Sequence, residues 1–193
     1  MNMKNIILAS GSPRRKELLK NIGLQFKVDV PLIEEDLKSS LPPDKLVKKL
    51  SREKAEAVAD KYHDAIIIGA DTIGVFDGKI IGKPHTAVEA EKMLSMLRGK
   101  SHLVITGYTI IDTETEKSVT KSVATKVYFR KLSKAEIDAY VKTGEPLDKA
   151  GAYAIQGLGA LIVEKIEGDY YNVIGLPLSS LVESLKEFDV KIL

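Results

Sequence analysis

Cysteine and tryptophan are both missing from the 193 residues. Without cysteine there is no disulfide, no thiolate nucleophile and no thiolate-ligated zinc. Histidine occurs only at 63, 85 and 102. No pair has metal-ligand spacing, and each reads as surface or loop. There is no Ser/His/Asp constellation, no Gly-x-Ser-x-Gly elbow, no Walker A loop and no Gly-x-Gly-x-x-Gly fingerprint. No apolar run approaches the ~20 residues of a membrane span, and the N-terminus has no signal-peptide pattern. An excess of one charge is also lacking: 29 Lys and Arg against 27 Asp and Glu leave +2. That balance gives no support for bulk nucleic-acid or membrane binding. Repeats and Gly/Ser linkers are absent too. A hydrophobic content of 44% and this length fit a single soluble cytoplasmic domain, with or without a small lobe.

What the chain does contain is centred on Leu8-Ala9-Ser10-Gly11-Ser12-Pro13-Arg14-Arg15. Residues 5–8 form a short apolar run that reads as a buried strand. From Arg15 onward Leu18, Leu19 and Ile22 recur at helical spacing. Ser12 suits an N-cap and Pro13 the first helical position, where a missing N–H costs nothing. The predicted strand, turn and helix N-terminus would gather free amides, the hydroxyls of Ser10 and Ser12 and two arginines. Such a point favours a phosphate. A plain turn with solvated arginines is the alternative.

The loop over 31–43 carries Glu34, Glu35 and Asp36, which are either solvated surface or ligands for a divalent metal. A helix is predicted over 44–61 with Leu46, Val47, Leu50, Ala57 and Val58 on one stripe. Lys54 lies near the middle of that stripe. A lysine on a core face needs a counter-charge, or else it snorkels to the surface. The run Ala65-Ile66-Ile67-Ile68-Gly69-Ala70 reads as a central strand ending in Asp71-Thr72. There Asp71 is a candidate base or metal ligand, or simply an Asx turn. Asp77-Gly78 marks a hairpin. Pro84 holds Lys83 in an extended loop. Further helices are expected from Thr86 to about Leu97, after Ser133, and after Gly175-Leu176-Pro177. Strands are expected over 26–30, 102–111, 117–129 and 161–166, with an edge strand at 190–193. The segment 145–157 has no clean period and reads as a ligand-lining loop.

Together these segments resemble the Maf family along essentially the whole chain. The likeness lies in the residues of 8–15, Glu34-Glu35, Arg52-Glu53-Lys54-Ala55, Gly69-Ala70-Asp71-Thr72, Gly82-Lys83-Pro84, Asp148-Lys149-Ala150-Gly151-Ala152-Tyr153, Ile155-Gln156-Gly157 and Gly175-Leu176-Pro177. The resemblance implies an α/β fold like that of the inosine triphosphate pyrophosphatases. That is an elongated mixed sheet flanked by helices, with residues 1–193 as one domain of two lobes around a cleft. It implies a nucleoside triphosphate pyrophosphatase using a divalent cation, Mg or Mn. In that likeness Asp71 is the proton acceptor, and Glu34 lies near the metal with it. Ser12, Arg15, Lys54 and Lys83 meet phosphates, with Ser10 in the same turn. Arg14, Thr72 and Gln156 select the base, in a combination like that of the subfamily acting on dTTP and UTP, with modified pyrimidine nucleotides as further candidates. The expected partner is the triphosphate substrate, and self-association as a homodimer is left open. A nucleotide-binding regulator of septum formation without turnover, and a phosphatase of terminal phosphates, are the competing readings.

Overall fold

Strand β1 (Asn5–Ala9) leads directly into helix α1 (Pro13–Asn21), with Ser12 as N-cap and Pro13 in the first turn. The computed structural model describes residues 4–33, 40–147 and 149–192. The elements that follow are β2 (Lys27–Val28), α2 (Pro43–Ala59), β3 (Ala65–Phe76), β4 (Lys79–Ile81) and α3 (Ala87–Leu97). After them come β5 (Ser101–Asp112), β6 (Ser118–Phe129), α4 (Lys134–Lys142), β7 (Val163–Glu167), α5 (Tyr170–Ile174) and α6 (Leu178–Lys186). Two short 3-10 turns, Ala150–Ala152 and Gly157–Leu161, lie between α4 and β7.

The strands form one seven-stranded sheet in the order β2-β1-β3-β5-β6-β7, with β4 paired to β3. The sheet is mixed: β1 runs parallel to β2 and β3, whereas β4 on β3 and β7 on β6 are antiparallel. The predicted hairpin at Asp77-Gly78 is present. Both residues have positive φ, 50° and 73°, as a turn matched to strand twist requires.

The chain divides into two compact units. The first holds the chain up to Thr72, Thr106–Val123 and the chain from Gly175; the second holds Ile73–Ile105 and Ala124–Ile174. In the first, β1 and β3 are apolar on both faces, as strands covered on both sides must be. Ile7, Ala9, Ala65 and Ile67 form one core cluster with Ala55 and Val58 of α2. In the second, α3 packs against α4 and the first 3-10 turn. Helix α3 is capped by the Thr86 hydroxyl, and α4 opens on a reciprocal Ser133–Glu136 capping box.

Glycine sets how closely α2 lies on the sheet. A Cβ at Gly69 of β3 would strike the Ser51 carbonyl and the Ala55 amide of α2. One at Gly107 of β5 would strike the Val47–Lys48 backbone. The helix therefore rests on two strands by backbone contact, and Lys54 rides on that face.

Four expectations change. Strand β3 does not end at Asp71 but continues to Phe76. The polar residues that normally close a strand are held in it by tertiary partners. Strand β2 is only two residues long and both are exposed. No strand forms at 190–192, where the chain leaves α6 through a turn with Asp189 at φ 61°. His102 is not surface or loop; it sits in β5 at 4% exposure.

Gly69→Ala should destabilise the protein by about 1–3 kcal/mol, about 5 °C in Tm, because helix backbone rather than a movable side chain blocks the new methyl. A thermal melt within a degree of wild type would show that α2 can lift from β3 freely.

Candidate active site

The first unit gathers its polar groups around Ala70, Asp71 and Thr72. Helix α2 turns Leu46, Val47, Leu50, Ser51, Lys54, Ala55 and Val58 inward. Lys54 is the only charged member of that face. Its ammonium meets the Asp71 carboxylate, Nζ donating to Oδ1 at 2.5 Å. Lys54 is 9% exposed and Asp71 6%. The counter-charge that the sequence demanded is thus a carboxylate of the neighbouring strand. Lys54 does not snorkel. A carboxylate with one oxygen on a lysine and 8% of its side chain still open can accept a proton from water. It can also contribute to a divalent cation, which typically takes one or two carboxylates with waters and substrate phosphates. Among the described residues no group of three or more metal-ligating side chains gathers. Glu34 and its acidic neighbours lie outside the described residues, as does Asp148.

Arg15 is the second focus, at 9% exposure. Its Nε donates to the Gly175 carbonyl at 2.8 Å, and Nη1 to the Ala70 carbonyl at 2.9 Å and to Ser10 Oγ at 3.2 Å. Nη2 donates to Thr72 Oγ1 at 3.0 Å. The guanidinium of Arg15, the residue expected on a phosphate, joins three segments of protein. The Thr72 hydroxyl lies 2.9 Å from Thr106 Oγ1 and 3.4 Å from the Gly175 carbonyl. Arg15 donates to the Thr72 hydroxyl, and Thr72 can give its own proton to the Gly175 carbonyl, while either hydroxyl of the Thr72–Thr106 pair can be the donor. The buried Thr106 and the Gly175 carbonyl were not identified from sequence. Only Gly175-Leu176-Pro177 as a motif pointed at the second, and nothing singled out the first.

The turn between β1 and α1 keeps free donors. The Ser12 hydroxyl makes no capping bond, and the Ser12 amide donates to Ser10 Oγ at 3.2 Å. Arg14 is half-buried, next to a fully engaged neighbour.

In the second unit, Lys83 is exposed in the loop after β4, and Gln156 is half-buried at the start of the 3-10 turn Gly157–Leu161. The segment around Gln156 is braced from both sides. The Glu145 carboxylate accepts from the amides of Leu158 and Gly159 and from the Tyr140 hydroxyl. Those bonds hold it below its ordinary range although burial opposes them. Ala152 holds φ 62° with no exposure, a conformation that costs a non-glycine residue of the order of 1 kcal/mol. Tyr153 packs edge-on against His102 and Phe129, and its hydroxyl lies 3.0 Å from His102 Nε2. The other ring nitrogen, Nδ1, is buried without a hydrogen bond among the described residues.

A family model described as Maf-like protein matches residues 5–188. The chain belongs to the Maf family. It is 49% identical to the dTTP/UTP pyrophosphatase of Bacillus cereus over 191 residues, covering 99% of this chain and 93% of that one. The corresponding proteins of Desulforamulus reducens and Bacillus cytotoxicus are 49% and 50% identical, over 98% and 97% of this chain and 100% and 97% of theirs. Among solved structures, the Staphylococcus aureus Ham1 protein superposes with a TM-score of 0.54 at 15% identity, covering 97% of this chain and all of that one. That likeness concerns the fold. The Maf segments noted in the sequence thus fall on the structure as follows. Residues 8–15, Lys54 and the 69–72 stretch meet in the first unit together with Gly175. Lys83 and the segment 149–157 belong to the second.

Breaking the buried ion pair should cost about 3–5 kcal/mol for Lys54→Met, because Asp71 keeps a charge in a site made for two. The double variant Lys54→Met/Asp71→Leu should recover more than half of that. Urea unfolding of the double-mutant cycle measures it, and simple additivity would deny the coupling. Burial pushes the His102 imidazole from about 6.5 down to about 4. The native state thus prefers the neutral ring, and the unfolded chain takes up the proton first. The stability involved is complete above pH 6.5 and is lost as pH falls toward 4, by about 3 kcal/mol. Urea midpoints across that range should show the loss in wild type, and a shallower slope in His102→Leu.

Proposed function

We propose that this Maf protein hydrolyses dTTP and UTP between the α- and β-phosphates, releasing the nucleoside monophosphate and pyrophosphate. Two facts support the substrates: near-full-length relatives at 49–50% identity carry that activity in their names, and the Arg14, Thr72 and Gln156 set is present. The observation that carries the chemistry is Asp71, a carboxylate held at 2.5 Å by a buried lysine in the middle of a strand. A binding protein has no use for such a group, whereas hydrolysis needs one to take the proton of the attacking water.

In this mechanism Asp71 orients a water and accepts its proton as the oxygen bonds to the α-phosphorus. The bond from that phosphorus to the bridging oxygen breaks, and pyrophosphate leaves with the electron pair. Lys54 keeps the Asp71 carboxylate in place and lends positive charge to the phosphates. The Ser12 hydroxyl and the α1 N-terminus present donors suited to phosphate oxygens. Lys83 adds a further cation. A divalent cation, Mg or Mn, would be held by Asp71 with Glu34 and the substrate's own phosphates, and when bound it neutralises charge building on the leaving group. The Thr72 hydroxyl can accept from an N–H on the base edge. Gln156 supplies both a donor and an acceptor. Uracil and thymine carry N3–H and O4, and cytosine inverts that pattern, so CTP should be a poor substrate. Modified uridines that keep N3–H and O4 remain within reach. No helix among the described residues is long and apolar enough to cross a membrane, and we place the enzyme in the cytoplasm with its nucleotide substrates.

Purified protein with magnesium should convert UTP and dTTP to monophosphate and pyrophosphate; orthophosphate as the product would exclude this chemistry. Asp71→Asn should lower kcat by about 10²–10⁴-fold at a temperature where the variant is still folded. The check on folding is required because the same change strips Lys54 of its counter-charge. Gln156→Ala should compress the UTP-over-CTP ratio of kcat/KM by about tenfold or more, with Tm little changed. An unaltered ratio would remove Gln156 from base selection.

A further inference from the structure

We propose that Arg15 is a positioning residue and not a phosphate ligand: its guanidinium fixes the strand on either side of Asp71 and so sets where the catalytic carboxylate stands. The proposal rests on the reading of Asp71 as the proton acceptor. Arg14 and Arg15 are adjacent on the first turn of α1, about 100° apart around the helix axis. Periodicity does not tell their roles apart; only the Maf likeness gave Arg14 the base and Arg15 a phosphate. The fold separates them. Arg15 turns inward to 9% exposure, while Arg14 stays half-buried and makes no hydrogen bond or ion pair to a described residue.

The acceptors of Arg15 are significant by position. The Ala70 carbonyl and the Thr72 hydroxyl belong to the residues immediately before and after Asp71. Ser10 Oγ belongs to the turn that carries Ser12. The Gly175 carbonyl precedes α6. A planar fork with five fixed N–H groups can satisfy oxygens in several directions at once, which an ammonium cannot. Drawing the guanidinium off to a phosphate would leave two backbone carbonyls in the interior without these donors. The Gly175 backbone lies close to this cluster. A Cβ added at Gly175, where φ is 130°, would lie 3.7 Å from Arg15 Nε and 3.6 Å from Thr72 Oγ1. Asp71 is thereby held from two sides, by Lys54 on its carboxylate and by Arg15 on its backbone neighbours.

Two measurements test this. In the wild-type protein, the Arg15 Nε–H resonance in an arginine-labelled NMR sample should exchange slowly with solvent and stay in place when inorganic pyrophosphate is added to saturation. In Arg15→Lys, which keeps the charge and loses the fork, kcat for UTP should fall by about 100-fold, the scale on which a displaced catalytic group loses rate. KM and the inhibition constant of pyrophosphate should stay within about threefold, since a phosphate contact would be lost from both. An Nε–H signal that moves with pyrophosphate overturns the proposal. So does an Arg15→Lys enzyme with kcat within about threefold of wild type, or one whose KM and pyrophosphate inhibition constant both rise about tenfold. If Arg15→Lys does not fold, the resonance in wild type decides alone. Wild-type protein that releases no pyrophosphate from UTP would count against the assigned reaction, whereas the NMR result reports on the clamp without turnover.

Discussion

A lysine and an aspartate paired away from water make the central constraint of this protein. Removing two charges from solvent is costly, and their attraction offsets that cost only with good geometry. The geometry here comes from backbone contact. Helix α2 lies on β3 and β5 because Gly69 and Gly107 carry no side chain, and Lys54 is thereby set opposite Asp71. The two residues lie 17 positions apart in sequence, on different types of element, and neither could be buried without the other.

The same constraint explains the course of β3. Asp and Thr favour strand ends because their side chains compete for nearby backbone groups. Here Lys54 occupies the Asp71 carboxylate, and Arg15 with Thr106 occupies the Thr72 hydroxyl. With those competing bonds unavailable, the backbone stays in the ladder and runs on to Phe76. A strand that had stopped at Asp71 would leave the carboxylate on a loop. Continuing, it holds that group to the precision of a sheet. The second unit treats its own polar segment in a related way: Glu145 ties down amides just past Gln156, and Tyr153 packs beside His102 just before it.

Much of the site was legible from residue patterns. The turn at 10–15, the inward lysine of α2 and the carboxylate after the apolar strand all emerged from periodicity and cap chemistry, and the Maf likeness tied them together. What did not emerge was which polar group answers which. Lys54 called for a counter-charge, and only the fold names Asp71 as that partner. Periodicity did not show that Arg15, unlike the neighbouring Arg14, is engaged by protein oxygens. His102 read as surface since a single histidine in a β-branched strand shows no period that reveals its face.

By itself the sequence determined the elements with strong local signals: the Ser12–Pro13 helix start, the Ser133–Glu136 box, the Asp77-Gly78 turn, and the stripe that put one lysine toward the core. These depend on bonds and steric limits within a few residues, so neighbours in the chain suffice to specify them. Tertiary structure alone decided the length of β3, the loss of the expected strand at the C-terminal end, and the burial of His102 and of Arg15 beside a half-buried Arg14. Each of those turns on acceptors and charges supplied by residues far off in the chain, and no local pattern encodes a partner that only folding brings near.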